Sequence, residues 1–363
     1  MSHIKNKILF IGHGYHQKTL SNSFLLDYLK ESFDVEIYYD ETFQNGPQVN
    51  KEIFFKEEYH QIIFYQIAPY RITLTNEKIK KVIFIVMYDG LDFKGIVKNF
   101  HTFFNKIIFI NFSKNIHNKL LNLGLQTYYF QYFPTPQEKC FGDKNKLFFW
   151  QRRYEINLNL VEKLFANYPI NIHLHQAPDP HQLIDKASEE QIKKFQIVSS
   201  NWLNSREEFL LAIKDKAFFI APRIKEGIGM SFLEAMAMGK IVIVNNDATM
   251  NEYIEHGING YLFDYKNPKP LIFNDLEKIQ ENAYNSIKEG YKKFQIDKQD
   301  IIKIVNNQLP PISFTQTQKI YCKILRTIIF IYYKFKKISI NLICILIVNK
   351  NLKNKIRRRE IKN

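Results

Sequence analysis

Short, almost continuous apolar runs recur along the chain, separated by longer and mostly polar segments. Runs of Ile, Val, Phe and Tyr between turn residues are typical of strands that are buried on both faces. Strands of this kind, alternating with helices, predict an α/β fold with parallel sheets. We expect strands over residues 7–11, 35–39, 61–65, 81–87, 106–112, 127–130, 147–150, 170–175, 196–200, 218–221 and 240–244.

A turn-rich polar stretch over residues 133–146 divides these strands into two groups. A chain of 363 residues is long enough for two domains with separate cores. We predict a Rossmann-like domain, a linker, a second Rossmann-like domain, a helical segment and a tail, over residues 1–135, 136–146, 147–290, 291–318 and 319–363. Further helices are expected over residues 19–32, 205–214, 231–238, 248–256 and 271–307.

The most informative unit spans residues 217–264. An apolar strand leads into a polar loop with Gly227 and Gly229, a helix is predicted over 231–238, and a second apolar strand follows Gly239. In open parallel sheets, ligands bind beyond the carboxyl ends of the strands, which is where this loop is expected. The start of the helix would present N–H groups and partial positive charge to an anion such as a diphosphate.

Two carboxylates accompany this helix start, with seven residues between them. Glu226 precedes the helix and Glu234 lies in its first turn, and carboxylates accept hydrogen bonds from pairs of sugar hydroxyls. A structural role also fits Glu234, because Ser231-Phe-Leu-Glu234 has the sequence of a capping box. The residues alone therefore leave two hypotheses for Glu234, a ribose ligand and a helix cap.

The segment Glu226-Gly-Ile-Gly-Met-Ser-Phe-Leu-Glu234 resembles the glutamate–seven–glutamate signature of the retaining glycosyltransferases of family 4. Pro222 before it and Asn259-Gly-Tyr-Leu-Phe263 after it agree with this resemblance. The resemblance implies a GT-B fold, in which two Rossmann-like parallel-sheet domains face a cleft and a helical segment crosses back to the first domain. It also implies a nucleotide-diphosphate sugar in the second domain and an acceptor that enters from the first.

The resemblance assigns roles to the central unit. It implies that Glu226 is catalytic and binds hydroxyls of the donor sugar, and that Glu234 binds the ribose. The donor diphosphate is expected at the loop and helix start, against Gly227, Gly229, Met230 and Ser231.

Outside this unit, Arg152 matches an arginine that holds the diphosphate. The lysine expected five residues later is Asn157, so Arg153 is the substitute. Gly14, after the first strand, is expected to approach the donor phosphate. Asp89 matches a position near the reacting sugar and is the second catalytic candidate, although an Asp-Gly turn is an equally good interpretation.

Neither a metal nor a cofactor is expected. His173 and His175 would share one face of a strand, but no acid or cysteine completes a ligand set with them or with His181. The sequence also contains no Asp-x-Asp pair. We therefore expect surface histidines and a metal-independent enzyme. His13 and His16 are candidates for the cleft, although loop histidines are more often solvated.

Three other functions stay open. Gly12-x-Gly14 followed by Asp40 partly matches the fingerprint of a nicotinamide-dependent Rossmann enzyme, but Gln17 occupies the place of its third glycine. A sugar-nucleotide epimerase of GT-B fold would act on the donor without an acceptor. A GT-B scaffold without catalytic activity is the third alternative.

Positive charge is concentrated at the C-terminal end. Of the formal net charge of +15, residues 319–363 contribute +12, from thirteen Lys and Arg and one acid, Glu360. Apolar runs at 328–333 and 338–348 lie among these charges, and both are too short to span about 30 Å of hydrocarbon. We expect a basic, amphipathic helical tail on an anionic membrane surface. The alternative is a helix that packs onto the protein.

The start of the chain lacks the pattern of a secretory signal, and three cysteines without metal-like spacing fit a reducing compartment. Nucleic acid is not an expected partner, because the charge lies in a tail without a recognition element. With the resemblance, these features predict a retaining glycosyltransferase that is peripheral on the cytoplasmic, inner face of the cell membrane. It would transfer a sugar to a hydroxyl of a glycan or lipid-linked glycan in surface polysaccharide biosynthesis.

Overall fold

The computed structural model describes residues 5–56, 58–180, 182–203 and 205–346, without the side chains of Lys94, Tyr333 and residues 336–346. These residues form two six-stranded parallel sheets with helices between the strands. The predicted α/β architecture with two parallel-sheet units is therefore confirmed.

The first sheet contains β1 (Lys7–His13), β2 (Asp34–Asp40), β3 (Gln61–Tyr65), β4 (Val82–Val86), β5 (Ile107–Asn111) and β6 (Thr127–Tyr129), in the order β2-β1-β3-β4-β5-β6. Every residue of β3, β4 and β5 is buried, which explains why these strands are apolar apart from Gln61 and Asn111 at their ends. The connecting helices are α1 (His16–Thr19), α2 (Ser23–Ser32), α3 (Ile53–Lys56), α4 (Arg71–Thr75), α5 (Phe93–Phe100) and α6 (Lys114–Asn122), with 3-10 turns at Thr42–Gln44 and Phe104–Lys106.

The second sheet contains β7 (Asp143–Gln151), β8 (Asn171–Gln176), β9 (Val198–Ser200), β10 (Lys216–Ile220), β11 (Ile241–Asn245) and β12 (Tyr261–Phe263), in the order β12-β11-β10-β7-β8-β9. Its helices are α7 (Leu158–Leu164), α8 (Glu189–Lys194), α9 (Arg206–Lys214) and α10 (Met230–Ala237), with a 3-10 turn at Met250–Glu252. After this sheet follow α11 (Leu276–Asp297), α12 (Gln299–Val305) and α13 (Gln316–Leu346).

Side chains alternate between separate cores and a shared one. Leu9 of β1 and Phe149 of β7 point into apolar clusters that belong to their own sheets. Phe10 and Phe148, one position away, belong to one continuous cluster that joins the two sheets and includes α10 and α11. This shared core holds the carboxyl ends of both sets of strands close together.

The strand β7 begins at Asp143, inside the stretch predicted as a linker. Its first residues are exposed or half-buried, and continuous burial begins only at Leu147. The apolar pattern therefore revealed the buried part of the strand and not its polar start.

The helix predicted over residues 248–256 is wrong, since only the short 3-10 turn at Met250–Glu252 forms there. Thr249 has a φ of +71°, which interrupts a helix. The carboxylate of Glu252 instead crosses to the first sheet, where it accepts hydrogen bonds from Ser113 Oγ at 2.9 Å and Lys114 N at 2.7 Å. A second-domain carboxylate thus caps α6 of the first.

The tail begins as the long helix α13. This helix packs against the first domain through Cys322, Leu325 and Ile329. Cys322 Sγ lies 3.3 Å from the carbonyl oxygen of Asn122. Within the described part of the chain, no helix combines the length and apolarity needed to cross a membrane. The end of the predicted apolar run, from residue 347, and the arginines at 357–359 lie outside the described residues.

Candidate active site

Charged side chains from both sheets meet at the carboxyl ends of the strands. Asp89 follows β4 of the first sheet, whereas Arg152 follows β7, Asp179 follows β8, and the loop from Arg223 to Glu226 follows β10. Buried parallel strands end at one edge of a sheet, so they bring residues that are distant in sequence to one place. The shared core sets the two edges against each other.

Arg223 lies at the centre of this cluster. Its Nη1 atom is 2.6 Å from Asp89 Oδ2, across the cleft, and 3.8 Å from Glu226 Oε2. Its Nε atom is 4.0 Å from Asp179 Oδ2. Burial disfavours the charged guanidinium, but the three carboxylates outweigh burial and raise the pKa of Arg223. One arginine therefore links the loop in front of α10 to Asp89, the predicted catalytic residue of the first domain.

Arg152 and Arg153 approach the same cluster through Asp179. Arg152 Nε lies 2.5 Å from Asp179 Oδ1, and Arg153 Nη1 lies 3.7 Å from Asp179 Oδ2. Arg152 also stacks over the Trp150 ring, at 5.2 Å from the ring centroid. Asn157 caps α7 through its side chain, which accepts from Leu160 N, so it has a structural role where the resemblance expected a lysine.

Glu226 is buried inside the cluster, with 7% of its surface exposed. Burial raises the pKa of Glu226 to about 7, although Arg223 and Arg152 oppose the shift. Protonated and ionised forms therefore coexist near neutral pH. A carboxyl group in this condition can donate as well as accept a hydrogen bond.

Glu234 is equally buried but lies in a separate pair. Its Oε1 atom is 2.6 Å from Nε of Arg206, whose side chain is 44% exposed. Burial raises the pKa of Glu234, and the Arg206 pair opposes that shift. The capping-box interpretation of Ser231 and Glu234 is wrong, because α10 begins at Met230 and its N-cap is Gly229 without a side-chain cap.

Two glycines shape the loop in front of α10. A Cβ atom at Gly227 would lie 2.8 Å from Asp89 Oδ1 and 2.9 Å from Met87 Cβ, so a glycine permits this close contact across the cleft. Gly229 has a φ of +86°, and a side chain there would also collide with the Phe232 ring. The chain can therefore turn sharply into the helix.

Met230 and Ser231 form the start of α10 and are half-buried, whereas the rest of the helix is buried. In an α-helix the first N–H groups have no intrahelical acceptor. The partly accessible residues of this helix are thus those whose N–H groups have no intrahelical acceptor.

The loop after β1 reaches the same edge through Tyr15. Burial raises the pKa of the Tyr15 hydroxyl, while Arg152 acts to lower it through charge and a hydrogen bond. Gly14 lies next to this tyrosine, but its N–H donates to the carbonyl oxygen of Asp40 at 2.8 Å, within the first domain. The structure therefore brings Tyr15, rather than the backbone N–H of Gly14, to the charged cluster.

The loop histidines are not solvated, contrary to expectation. His16 is buried and His13 is half-buried, and the two rings lie 3.6 Å apart. Both Nε2 atoms are within hydrogen-bond distance of Gln66 Oε1. Burial lowers the pKa of both side chains, that of His16 to about 3, so both are neutral at pH 7.

The expectation of surface histidines in the second domain is also wrong. His173 and His175 both contact Ser200 Oγ, at 2.7 and 2.9 Å, which confirms that they share one strand face. Burial lowers the pKa of each to about 4. His181 lies outside the described residues. Among the residues that the structure describes, no group of three or more His, Cys, Asp or Glu could hold a metal ion.

Asp40 is not available to a ribose. It is 1% exposed, and its carboxylate accepts hydrogen bonds from Thr42 and from the hydroxyl of Tyr70. The acid on which the nicotinamide alternative depends therefore has an internal structural role.

The sequence did not reveal three charged residues of the site. Arg223 and Asp179 belong to the cluster, and Arg206 pairs with Glu234. Arg223 lies in the loop that the pattern singled out, but the motif drew attention to Glu226. Asp179 stands between two prolines after β8, and strand topology alone would have placed it at this edge. Arg206, at the start of α9, gave no signal in the sequence because its role depends on a contact 28 residues away.

Comparison with known families supports this architecture. Residues 140–293 match the family of glycosyl transferases group 1. This match contains every second-domain residue of the cluster and also Glu234. No curated protein matches the chain in sequence.

Solved GT-B structures share the fold. Sucrose-phosphate synthase from Thermosynechococcus elongatus is 11% identical with a TM-score of 0.59, over 83% of this chain and 99% of that one. The Anabaena HepE protein, in complex with UDP and glucose, is 14% identical with a TM-score of 0.57, over 83% of this chain and 99% of that one. TarM is longer: the match covers 66% of this chain but only 54% of TarM, at 12% identity and a TM-score of 0.47.

Two parallel sheets that face a common cleft give this chain the GT-B fold, and its second domain, over residues 140–293, matches the family of glycosyl transferases group 1.

Proposed function

We propose that the chain is a retaining, metal-independent glycosyltransferase that moves a hexose-type sugar from a nucleotide diphosphate to a hydroxyl of a glycan or lipid-linked glycan. The single observation that carries this proposal is the convergence of Arg152, Arg223 and Glu226 in front of α10, opposite Asp89. Cations, helix N–H groups and a hydroxyl-binding carboxyl are the groups that a sugar diphosphate requires.

Charge stabilisation would be the main contribution to catalysis. As the sugar–phosphate bond breaks, negative charge grows on the leaving diphosphate, and Arg152, Arg223 and the start of α10 would neutralise it. The Arg223–Asp89 pair at 2.6 Å lies where the diphosphate and the reacting sugar would meet. When the donor is bound, Arg223 would therefore contact both Asp89 and the phosphate. Arg153 would add positive charge next to Arg152.

The two glutamates would recognise different parts of the donor. Glu226, buried and with a pKa of about 7, would bind hydroxyls of the sugar as donor or acceptor. Glu234, with one oxygen held by Arg206, would accept from the ribose hydroxyls with the other. The nucleotide and glucose named for the Anabaena HepE complex support a nucleotide sugar as the co-substrate.

We infer retention of configuration from the sequence resemblance, in which attack on the same face of the sugar is assisted by the leaving phosphate. Asp89 and Asp179 both pair with arginines, so we assign neither of them the role of a base in this step. Asp89 would instead orient the reacting sugar and Arg223. The proposed acceptor enters from the first domain, beside Tyr15.

We further propose that the enzyme works on the cytoplasmic face of the cell membrane, in surface polysaccharide biosynthesis. Its basic tail would bind an anionic membrane surface and keep the cleft near a lipid-linked acceptor.

The epimerase alternative differs in one respect, because an epimerase turns over the donor without an acceptor. A nicotinamide enzyme is disfavoured by the internal hydrogen bonds of Asp40.

A thermal-shift panel of nucleotide sugars, free nucleotides and NAD tests the proposal. We expect one nucleotide sugar to raise the Tm, since a ligand that binds only the native state stabilises it by mass action. R152M/R223M should abolish that shift, and K288Q/K293Q, on the exposed side of α11, should keep it. A shift with NAD alone, or with no nucleotide sugar, would overturn the assignment.

A further inference from the structure

The helix α13 has two apolar faces. One packs onto the first domain through Cys322, Leu325 and Ile329. At about 100° per residue, a second set of apolar side chains falls within roughly a third of the helix circumference, centred about 110° from the first face. We call this second face the apolar stripe; its members are 45–64% exposed: Ile320, Tyr321, Ile324, Ile328, Ile331, Tyr332 and Phe335.

A cavity of about 450 Å³ lies between α13 and the first domain. The helix contributes Lys323, Arg326 and Thr327, and the segment after α5 contributes His101, Thr102 and Asn105. None of the described residues that line this cavity is acidic. Two cations with hydroxyl and amide donors form a site for a phosphate group.

Aromatic contacts fix the cationic wall. The guanidinium of Arg326 lies 5.7 Å from the centroid of the Phe104 ring, and the His101 ring lies 4.1 Å from Phe330. A stacked guanidinium is held in one plane and loses little freedom when it binds an anion. Phe104 is buried, so Arg326 is anchored to the body of the first domain.

The cavity and the apolar stripe are neighbours on the helix. By helical periodicity, Lys323, Thr327 and Phe330 lie on the arc between the docked face and the stripe. If the stripe enters the acyl boundary of a membrane, this arc lies at the level of the headgroups, as in other interfacial helices. The positions of the charges and of the apolar side chains thus agree with one surface.

We propose that this cavity binds the phosphate of an anionic phospholipid headgroup while the apolar stripe inserts below it. The proposal deepens the membrane association proposed above and rests on it. In this proposal, Lys323 and Arg326 bind the headgroup phosphate, whereas the other charges of the tail contribute only general attraction to the membrane. The first domain is then the domain that faces the membrane.

The test compares K323Q/R326Q with K288Q/K293Q, which loses the same charge from α11, far from the cavity in sequence. Full-length proteins are sedimented with phosphatidylcholine vesicles that contain or lack phosphatidylglycerol. Each basic residue near an anionic surface contributes on the order of 1 kcal/mol, so K323Q/R326Q should bind the anionic vesicles about 30-fold more weakly. K288Q/K293Q should stay within about twofold of the wild type.

Two further experiments distinguish a lipid headgroup site from a site for a free anion. I324D/I328D, which breaks the stripe, should lose binding to the anionic vesicles, and its donor-induced thermal shift should be unchanged, which also shows that it folds. Inorganic phosphate, titrated into the full chain, tests for a small-anion site.

Equal loss in K323Q/R326Q and in K288Q/K293Q would overturn the headgroup site while leaving membrane association in place. Phosphate binding that depends on Lys323 and Arg326, with vesicle binding unchanged in their variant, would assign the cavity to a free anion and also overturn it. A wild-type chain that binds neither vesicle would remove the membrane role itself, without affecting donor binding.

Discussion

Glu226 and Glu234 are the same residue type, only 7% and 9% exposed, and lie on either side of one helix start, yet their surroundings differ. Glu226 lies in a cluster that spans both domains and includes Arg223, Asp89 and Asp179. Among the described residues, Glu234 forms an ion pair only with Arg206, which reaches it from the solvent side of α9.

This difference shows that burial alone does not determine what a carboxyl can do. Burial raises the pKa of Glu226 to about 7, and Arg223 opposes this rise only in part because Asp89 and Asp179 compete for it. Burial also raises the pKa of Glu234, but Arg206 pairs directly with Glu234 and opposes the rise. We therefore expect Glu226 to act in the reaction and Glu234 to act in nucleotide binding.

The largest expected effect is on turnover. E226Q should lower kcat by about 10²–10³-fold, because it removes a group that contacts the reacting sugar. E234Q should mainly raise KM for the donor. Steady-state kinetics with the donor found by thermal shift measure both. A kcat loss confined to E234Q would reverse the comparison.

The second effect is on the pH dependence of stability. The pKa of Glu226 is raised in the folded state, so the folded chain keeps a proton that the unfolded chain has lost between about pH 4.5 and 7. Stability from this group is therefore present at low pH and is lost as the pH rises through about 7.

Relative to E226Q, the free energy of unfolding of the wild type should fall by roughly 3 kcal/mol between about pH 4 and 8. The depressed pKa values of the buried histidines act with the opposite sign, but they are common to both proteins and cancel in the difference. E190Q, on the exposed side of α8, is the control. A flat difference would show that Glu226 is ionised in the folded protein.

The smallest effect concerns the isolated pair. R206M leaves Glu234 without its cation, but Arg206 is 44% exposed and water screens the pair. We expect R206M to lower the free energy of unfolding, measured in urea, by about 1 kcal/mol. In the E234Q background, the same substitution should lower it hardly at all. A loss several times larger would mean that Glu234 depends on its arginine as strongly as a fully buried charge does.

The fold was largely predictable because its strands are buried on both faces. Every residue of β3 is apolar or buried, so its bounds follow from the sequence, whereas β7 begins with exposed residues and its start was missed. The false helix over 248–256 has a different cause: Glu252 is committed to α6 of the other domain, and no local pattern reveals such a contact.

The candidate site was predictable as far as its motif extends. Glu226, Arg152 and Asp89 meet as the topology requires, but the arginine that connects them, Arg223, was not singled out. Its importance follows from the carboxylates of three different loops, and their proximity exists only in the folded chain. The cap hypothesis for Glu234 failed because the helix begins one residue earlier, at Met230.

The central claim is that the start of α10 seats a diphosphate between an acid that binds the sugar and an acid that binds the ribose. Titration calorimetry with UDP and UDP-glucose, or with the nucleotide pair that the thermal-shift panel identifies, tests it in E226Q and E234Q. We predict that E226Q binds the free nucleotide as the wild type does and binds the nucleotide sugar roughly 10-fold or more weakly, whereas E234Q weakens both. Equal weakening of both ligands by E226Q, or unchanged binding in both variants, would contradict the account.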